Sequence, residues 1–248
     1  MKIAGMMRVK NEARWIRGVI DSMRKVCDAG IYVFDDHSTD ETRAIAADAD
    51  AHVLPSPFIG LDETRDKNHL TIEIMKRCDP DWILHIDGDE MLEAAGAAEI
   101  RELVESSQPG VEAYFMLILY LWDQEDRVRV DGVYGACWRA RLFRTRSSDL
   151  LFHAGENGKS STAHLHCGNI PRDLNDRGAF SKTRIKHFGY LDRETRLEKF
   201  AFYSRIDPDN VFEDRYRHMI QGDVPEVPAE ESLRWAGPLQ TAAYGERT

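Results

Sequence analysis

Two groups of acidic residues follow short apolar stretches in the first ninety residues. Asp35 and Asp36 come after IYVF, and Asp87, Asp89 and Glu90 come after WILHI. Short apolar stretches of this kind are typical of buried strands, and in open α/β sheets ligands bind at the carboxyl ends of the strands. Carboxylates this close together repel one another, so we expect a positive partner among them. Mg²⁺ or Mn²⁺ would serve, since both prefer oxygen ligands and are often held by one or two carboxylates together with substrate phosphates.

Both groups also have simpler explanations. Acidic residues are common in the first turn of a helix, where the helix dipole favours them, and this would account for Asp35 and Asp36. The DGDE stretch could be an ordinary polar loop. Gly88 favours the functional interpretation, because a glycine lets the chain turn tightly and bring the flanking carboxylates together.

The elements around these residues alternate between strand and helix patterns, as a parallel α/β sheet requires. Strands are predicted at 2–9, 30–36, 51–56 and 82–87. Ile16, Val19, Ile20, Met23 and Cys27 recur at steps of three and four, which predicts a helix with one buried face. Further helices are predicted from near Thr39 to about Asp48, where Ser38 and Glu41 have capping-box spacing, from about Glu63 to Cys78, and from Met91 to Ser106.

The second half of the chain has a different pattern of predicted strands and helices. The apolar run 113–122 predicts a long strand, and WRARLFR (138–144) and TRIKHFGY (183–190) predict shorter ones. No helix is predicted between 145 and 182, so we expect acceptor recognition and a mobile loop there. A helix is predicted from Asp192 onward, followed by a surface tail. We therefore expect a domain over 1–190, with a first half over 1–93 and a second half over 94–190, and a C-terminal extension over 191–248.

Composition excludes several classes of protein. The chain has 248 residues, with 33 Lys and Arg against 43 Asp and Glu, a formal charge of −10. An acidic balance of this kind argues against a nucleic-acid partner. Four cysteines without a CxxC pair, and an N-terminus without a signal-peptide pattern, lead us to expect a reduced, cytoplasmic protein. The longest apolar run has half of the roughly 20 residues that a membrane span needs, so no membrane span is expected.

Three ordered motifs, MMRVKNEARWI, FDDHSTDET and WILHIDGDE, resemble the family 2 glycosyltransferases, which are inverting enzymes with the GT-A fold. RLFR (141–144) and HFGY (187–190) resemble later elements of the same family. The resemblance implies a mostly parallel central sheet flanked by helices, with a C-terminal helical extension. It also implies a nucleotide-sugar donor, most simply a UDP-sugar, bound by the half over 1–93, a hydroxyl acceptor bound by the half over 94–190, and Mn²⁺ or Mg²⁺.

The resemblance also implies roles for individual residues. The donor-binding positions would be Val9, Asn11, Glu12, Asp35, Asp36, Arg65, Asn68, Asp87 and Gly88. Asp89, in the DxD signature, would coordinate the metal. His187 matches a histidine that completes the metal site in many such enzymes, and an imidazole ligand would favour manganese.

The general base is less well marked, because the expected HE pair is replaced by His166 and Cys167. Glu156 is the only carboxylate between Asp149 and Asp173, so we expect it to be the catalytic base. His166 and Asp131 remain alternatives.

Two other functions stay open. A nucleotidyltransferase shares the sheet and the metal-binding carboxylates, but RVKNEARWI lacks the glycine-rich basic loop that holds a triphosphate. A catalytically silent nucleotide-sugar-binding protein would retain the fold, and the missing HE pair keeps that alternative open.

Overall fold

The computed structural model describes residues 1–135, 137–146, 150–153, 167–208, 215–223 and 235–236. The chain divides into two compact units. The first contains Met1–Leu117 and the described parts of Trp138–Ala154 and His164–Ile185. The second contains the described parts of Ile118–Cys137 and Lys186–Thr248.

The first unit begins with alternating strands and helices. In chain order these are β1 (Ile3–Val9), α1 (Ile16–Arg24), β2 (Ile31–Asp35), α2 (Thr42–Asp48), β3 (His52–Pro55), α3 (Glu63–Cys78) and β4 (Trp82–His85). The four strands pair in parallel in the order β3-β2-β1-β4. The apolar stripe of α1 is buried as its spacing predicts, and the α/β class expected from the sequence is confirmed.

The remaining elements are β5 (Glu90–Leu92), α4 (Gly96–Glu105), β6 (Ala113–Trp122), β7 (Gln124–Arg129), β8 (Trp138–Arg144), β9 (Gly178–His187), α5 (Arg193–Ile206) and β10 (Trp235–Ala236). In the first unit β8 lies antiparallel between β4 and the first half of β6. β5 pairs with β9. The parallel strands therefore continue into an antiparallel edge.

Two predicted helix boundaries are wrong. α2 begins at Thr42, since Asp40 accepts a hydrogen bond from the Thr42 N–H at 3.0 Å. The Ser38 hydroxyl, expected to cap this helix, instead accepts from the Asn11 N–H at 2.9 Å. Met91 lies in β5, and α4 begins at Gly96. β9 also begins at Gly178, before the predicted residue 183, and a 3₁₀ helix occupies Arg172–Arg177.

The second unit is built around a buried tryptophan. Trp122 lies between two guanidinium groups, with Arg129 at 4.6 Å and Arg196 at 4.4 Å from its ring. Each buried arginine is neutralised by a carboxylate, Arg129 by Asp131 at 2.9 Å and Arg196 by Asp223 at 2.6 Å. Cation–π contacts between desolvated groups add to the stability that apolar burial provides.

Within the described residues, every helix is too short or too polar to cross a bilayer.

Candidate functional site

The carboxyl ends of β1, β2 and β4 bring several predicted donor-binding residues together. The Asp36 N–H donates to the Val9 carbonyl at 2.9 Å. A Cβ atom added at Gly88 would lie 2.8 Å from Glu12 Cγ and 3.0 Å from Val9 Cγ1. No side chain fits at that distance without displacing its neighbours, so Gly88 permits the close approach of the DGDE turn to β1. Val9, Glu12, Asp36 and Gly88 therefore adjoin one another.

Asn11 ties the loop after β1 to the loop after β2. Its backbone has a positive φ of 56°, a conformation that asparagine tolerates better than most residues. Its side-chain Oδ1 accepts from the Thr39 N–H at 2.8 Å. The neighbouring Glu12 N–H donates to Thr42 Oγ1 at 2.8 Å. These bonds hold the KNE and DDHST segments as one rigid edge.

A chain of charges extends from Asp36 to Arg65. Arg8 donates from Nη2 to Asp36 at 2.7 Å and from Nε to Asp66 at 3.0 Å. Asp66, which is completely buried, also accepts from Arg65 at 2.8 Å. Lys10 lies 3.7 Å from Asp36. Sequence reasoning missed Arg8 and Asp66, although a charge inside the apolar β1 was a signal that it needed a partner.

Asp35 has a different environment from Asp36. It is 1% exposed, accepts from the Ser38 N–H at 3.2 Å, and lies 3.5 Å from Arg43 in α2. These contacts organise the turn between β2 and α2. Asp35 therefore suits a supporting role behind Asp36.

Arg141 is the positive partner that the DGDE carboxylates require. It donates from Nη1 to Asp87 Oδ2 at 3.0 Å and from Nη2 to Glu90 Oε1 at 2.5 Å. The Asp87 N–H donates to the other oxygen of Glu90 at 3.1 Å. The Glu90 side chain is 1% exposed and that of Asp87 is 40% exposed, so Asp87 alone of these two is open to a ligand. Burial opposes ionisation of Asp87, but the charge of Arg141 outweighs it and holds the pKa of Asp87 well below its usual range.

His85, two residues before Asp87, is completely buried in β4. Its Nδ1 lies 2.7 Å from the Asn169 carbonyl oxygen, and its Nε2 lies 3.7 Å from Asp87 Oδ1. Burial, aided by the charge of Lys67, lowers the pKa of His85 to about 3. The ring is therefore neutral at physiological pH.

The carboxylates of the DGDE turn fit one kind of metal site. Among the described residues, no group of three or more His, Cys, Asp or Glu side chains is arranged to hold a metal ion. Mg²⁺ and Mn²⁺ do not need such a group when one or two carboxylates share the ion with phosphates and water. Asp87, with its open oxygen, and Asp89, which is 5% exposed, therefore fit an ion that arrives with a diphosphate.

His187 belongs to the second unit, and its arrangement does not suit a metal ligand. The Gly189 N–H donates to His187 Nδ1 at 3.1 Å, and the ring stacks on Tyr190 with centroids 5.0 Å apart. Because Nδ1 accepts a hydrogen bond, the proton of the neutral ring is on Nε2. An imidazole that binds a metal through Nε2 needs a lone pair there. His187 is thus placed as a hydrogen-bond donor.

Arg65 and Asn68 were expected near the nucleotide, but both side chains donate hydrogen bonds to backbone carbonyl oxygens. Arg65 donates to the Gly60 carbonyl at 2.8 Å and lies over the Phe58 ring at 4.4 Å, which fixes the loop between β3 and α3. Asn68 Nδ2 donates to the Phe152 carbonyl at 3.0 Å, and the Phe152 N–H donates back to Asn68 Oδ1 at 2.7 Å. The side-chain amide of Asn68 therefore makes the same pair of hydrogen bonds to the Phe152 backbone that a residue of a neighbouring strand would make.

The candidates for the general base fare differently. Glu156 and His166 lie outside the described residues. Asp131 accepts from Arg129 at 2.9, 3.0 and 3.2 Å, so both carboxylate oxygens already neutralise a buried cation. Asp131 is therefore poorly suited to take a proton from an acceptor.

Comparison with known proteins links the chain to glycosyltransferases. No protein-family model matches it. A protein of Rickettsia bellii named "Uncharacterized glycosyltransferase" is 32% identical over 164 residues, covering 66% of this chain and 51% of the relative. A Mycobacterium tuberculosis protein without a functional name is 26% identical over 227 residues, covering 86% of this chain and 52% of the relative. The chain thus spans about half the length of these two relatives.

Two solved structures are similar to this chain, with lower sequence identity than the relatives above. The Staphylococcus aureus TarS 1–349 structure has a TM-score of 0.45 at 13% identity, covering 89% of this chain and 69% of TarS 1–349. Glucosyl-3-phosphoglycerate synthase of Mycobacterium tuberculosis has a TM-score of 0.36 at 23% identity, covering 48% of this chain and 44% of the synthase. TM-scores this low carry no weight for the function of this chain.

RfbJ of Shigella flexneri is 34% identical over 99 residues, which are 40% of this chain and 72% of RfbJ. The chain therefore belongs to the same protein family as RfbJ, and it is a relative of Rickettsia proteins named glycosyltransferase.

Proposed function

We propose that the chain is a family 2 glycosyltransferase with the GT-A fold, which moves a sugar from a nucleotide-sugar to an acceptor hydroxyl with inversion at the anomeric carbon. The observation that supports this most directly is the convergence of Val9, Asp36 and Gly88 at the carboxyl edge of the parallel strands. The relation to proteins named glycosyltransferase gives that edge its chemical interpretation. A UDP-sugar is the donor we expect.

The donor would lie along this edge. Arg8 holds the Asp36 carboxylate in place, so Asp36 can accept a hydrogen bond from the nucleoside without a large loss of side-chain entropy. Asn11 and Glu12 would contact the base and ribose from the rigid loop after β1. Gly88 lets the DGDE turn lie against Val9 and Glu12, since a Cβ atom at this position would come within 3.0 Å of both side chains.

Asp87 and Asp89 are the residues that would hold Mn²⁺ or Mg²⁺ beside the diphosphate. The bound cation would neutralise charge that develops on the leaving diphosphate. Arg141 keeps Asp87 ionised and oriented for this role. Proton removal from the acceptor hydroxyl requires a general base, for which we propose Glu156, with His166 as the alternative.

The proposal is tested with a panel of nucleotide-sugars, each assayed with Mn²⁺, with Mg²⁺ and with EDTA. We expect metal-dependent release of the nucleoside diphosphate from one donor class, with UDP-sugars first, and a product of inverted anomeric configuration by NMR. Release of pyrophosphate from a nucleoside triphosphate and a sugar phosphate would identify a nucleotidyltransferase instead. Binding of the donor without any turnover would identify a silent binding protein.

A further inference from the structure

A buried nitrogen and a carboxylate oxygen face each other at the DGDE turn. His85 Nδ1 lies 2.7 Å from the Asn169 carbonyl oxygen, which can only accept a hydrogen bond. Nδ1 therefore carries the ring proton, and Nε2 of the neutral ring presents a lone pair. That lone pair is directed away from Asn169, on the side of the ring where Asp87 lies.

Neither atom satisfies the other. His85 Nε2 and Asp87 Oδ1 are 3.7 Å apart, which is beyond hydrogen-bond range. Nε2 is buried without a hydrogen-bond partner in the part of the chain that the structure describes. A buried acceptor in that state costs about 1–3 kcal/mol, and here it faces a second acceptor that carries negative charge. Both atoms would be satisfied by a positive ion between them.

The separation fits a single cation. Ligand bonds of about 2.1 Å to nitrogen and to oxygen let one ion contact two atoms up to about 4.2 Å apart. Arg141 engages the other oxygen of Asp87, Oδ2, so Oδ1 remains on the side of His85. The Asp87 side chain is 40% exposed, which provides a route from solvent to the pair.

We propose that His85 Nε2 joins Asp87 Oδ1 and Asp89 in holding a divalent cation, whose remaining ligands are water and the phosphate oxygens of the donor. The nitrogen ligand makes Mn²⁺ a better occupant than Mg²⁺. Lys67, which donates to the Gly168 carbonyl at 2.7 Å, adds positive charge near His85. The ion should therefore bind weakly by itself and more tightly with a diphosphate. The assignment rests on the proposed function for the identity of the phosphate ligand, and it makes His85 the histidine ligand of the site in place of His187.

Pulsed electron paramagnetic resonance of Mn²⁺ tests this without turnover. The full chain is mixed with Mn²⁺ and inorganic pyrophosphate, which contains no nitrogen, and electron spin echoes are examined for ¹⁴N modulation. We expect modulation in the wild-type protein that changes when histidine is labelled with ¹⁵N. It should disappear in His85→Gln, persist in the matched variant His187→Gln, and be accompanied in His85→Gln by at least about a tenfold loss of Mn²⁺ affinity.

Circular dichroism establishes that His85→Gln is folded. Should it not fold, Asp87→Asn replaces it, and the assignment then requires a similar loss of Mn²⁺ affinity in that variant. Modulation that vanishes in His187→Gln and survives in His85→Gln would overturn the assignment. Mn²⁺ binding without nitrogen modulation, or no Mn²⁺ binding with pyrophosphate present, would also overturn it. A nitrogen-ligated Mn²⁺ in a chain that transfers no sugar would refute the proposed function and leave this site standing.

Discussion

At the scale of single residues, the carboxylates of the DGDE turn determine what else the site must contain. Asp87 and Glu90 share one guanidinium, that of Arg141, which comes from β8 more than fifty residues later in the chain. The sequence indicates that a positive partner is needed, but repulsion between neighbouring acids does not specify which residue supplies it. We expected a metal with a diphosphate there, and Arg141 supplies positive charge within the protein.

The first prediction concerns Arg141→Met, which leaves the buried Glu90 without its cation. We expect a loss on the order of 3 kcal/mol in the free energy of unfolding. This is the low end for breaking a buried ion pair, because solvent can compensate part of the charge of Asp87. Urea titration measures the loss. Arg139→Met, at an exposed position of the same strand, should change stability by less than about 0.5 kcal/mol.

Burial raises the pKa of Glu90 to about 8, so this comparison is made at about pH 9, where Glu90 is ionised. Adding Glu90→Gln to Arg141→Met should then recover part of the loss, since it removes the uncompensated charge. Equal stability of Arg141→Met and Arg139→Met would show that the ion pair contributes nothing.

The second prediction concerns pH and His85, whose pKa burial lowers to about 3 in the folded chain. An unfolded histidine has a pKa near 6.5, so below that pH the unfolded chain binds a proton that the folded chain does not. The His85 contribution to stability therefore falls as pH falls from about 6.5 toward 3, by up to about 1.4 kcal/mol per pH unit. Burial raises the pKa of Glu90 to about 8, so Glu90 contributes a slope of the opposite sign in the same pH range. Urea titrations from pH 7 to 5 measure the slope while most carboxylates stay ionised. The contribution of His85 is the difference between the slopes of the wild-type protein and His85→Gln, and identical slopes would contradict the assignment of this pKa.

At the scale of elements, α3 and β4 fix the backbone on both sides of residues 154–166, which lie outside the described part of the chain. Asn68 pairs with the backbone of Phe152, while Lys67 and His85 hold the carbonyl oxygens of Gly168 and Asn169. Glu156 and His166, the two alternatives for the base, fall between these anchored points in sequence. We therefore interpret Asn68 as a positioning residue.

The third prediction follows for Asn68→Ala. Losing two hydrogen bonds to buried backbone should cost about 1–3 kcal/mol of stability. Sugar transfer should fall while the dissociation constant for UDP with Mn²⁺ stays unchanged, because the amide contacts Phe152. Asn175→Ala, which removes one hydrogen bond to the Arg172 carbonyl at the surface, is the control. Weaker UDP binding in Asn68→Ala would instead support the donor contact expected from the sequence.

The sequence predicts an element well when the residues that determine the element lie within it, and poorly when they lie elsewhere in the chain. The bounds of α3 and β6 follow from patterns within each segment, and both were predicted correctly. The start of α2 was missed because the Ser38 hydroxyl bonds to Asn11, which comes from another loop. β5 was missed because its three residues pair with β9, almost ninety residues away. In the site, Asp36 and Asp87 were predicted from their motifs, whereas the contacts of Arg8, Asp66 and Arg141 are seen only in the folded chain.

At the scale of the whole molecule, the net negative charge of the chain does not show that cationic side chains lie at the site. The formal charge is −10, yet Arg8, Lys10 and Arg141 lie against the carboxylates at the edge of the sheet. These cations neutralise charge within the protein, but at the DGDE turn one guanidinium, that of Arg141, is shared by Asp87 and Glu90. A diphosphate therefore still needs a cation to approach that part of the edge.

The fourth prediction is that UDP stabilises the protein only when Mn²⁺ or Mg²⁺ is present. At a hundredfold excess over its dissociation constant, UDP with Mn²⁺ should raise the free energy of unfolding by about 2.7 kcal/mol. Thermal and urea denaturation in EDTA should show no such increase. Asp89→Asn should remove the effect of the metal while keeping the fold, and equal stabilisation by UDP in EDTA would remove the case for a metal.

The guanidinium-flanked tryptophans provide separate optical probes of the two units. Trp122 lies between two arginines in the second unit, and Trp82 in the first has Arg144 at 4.5 Å from its ring. Both indoles are buried, so the fluorescence of each should change when its own surroundings are exposed to solvent. The chain has five tryptophans, so variants that keep only Trp82 or only Trp122, with the other four changed to Phe, would give one melting curve for each environment. Coincident curves would mean that the chain unfolds as a single cooperative body, and separate midpoints would mean that either half can be lost while the other persists.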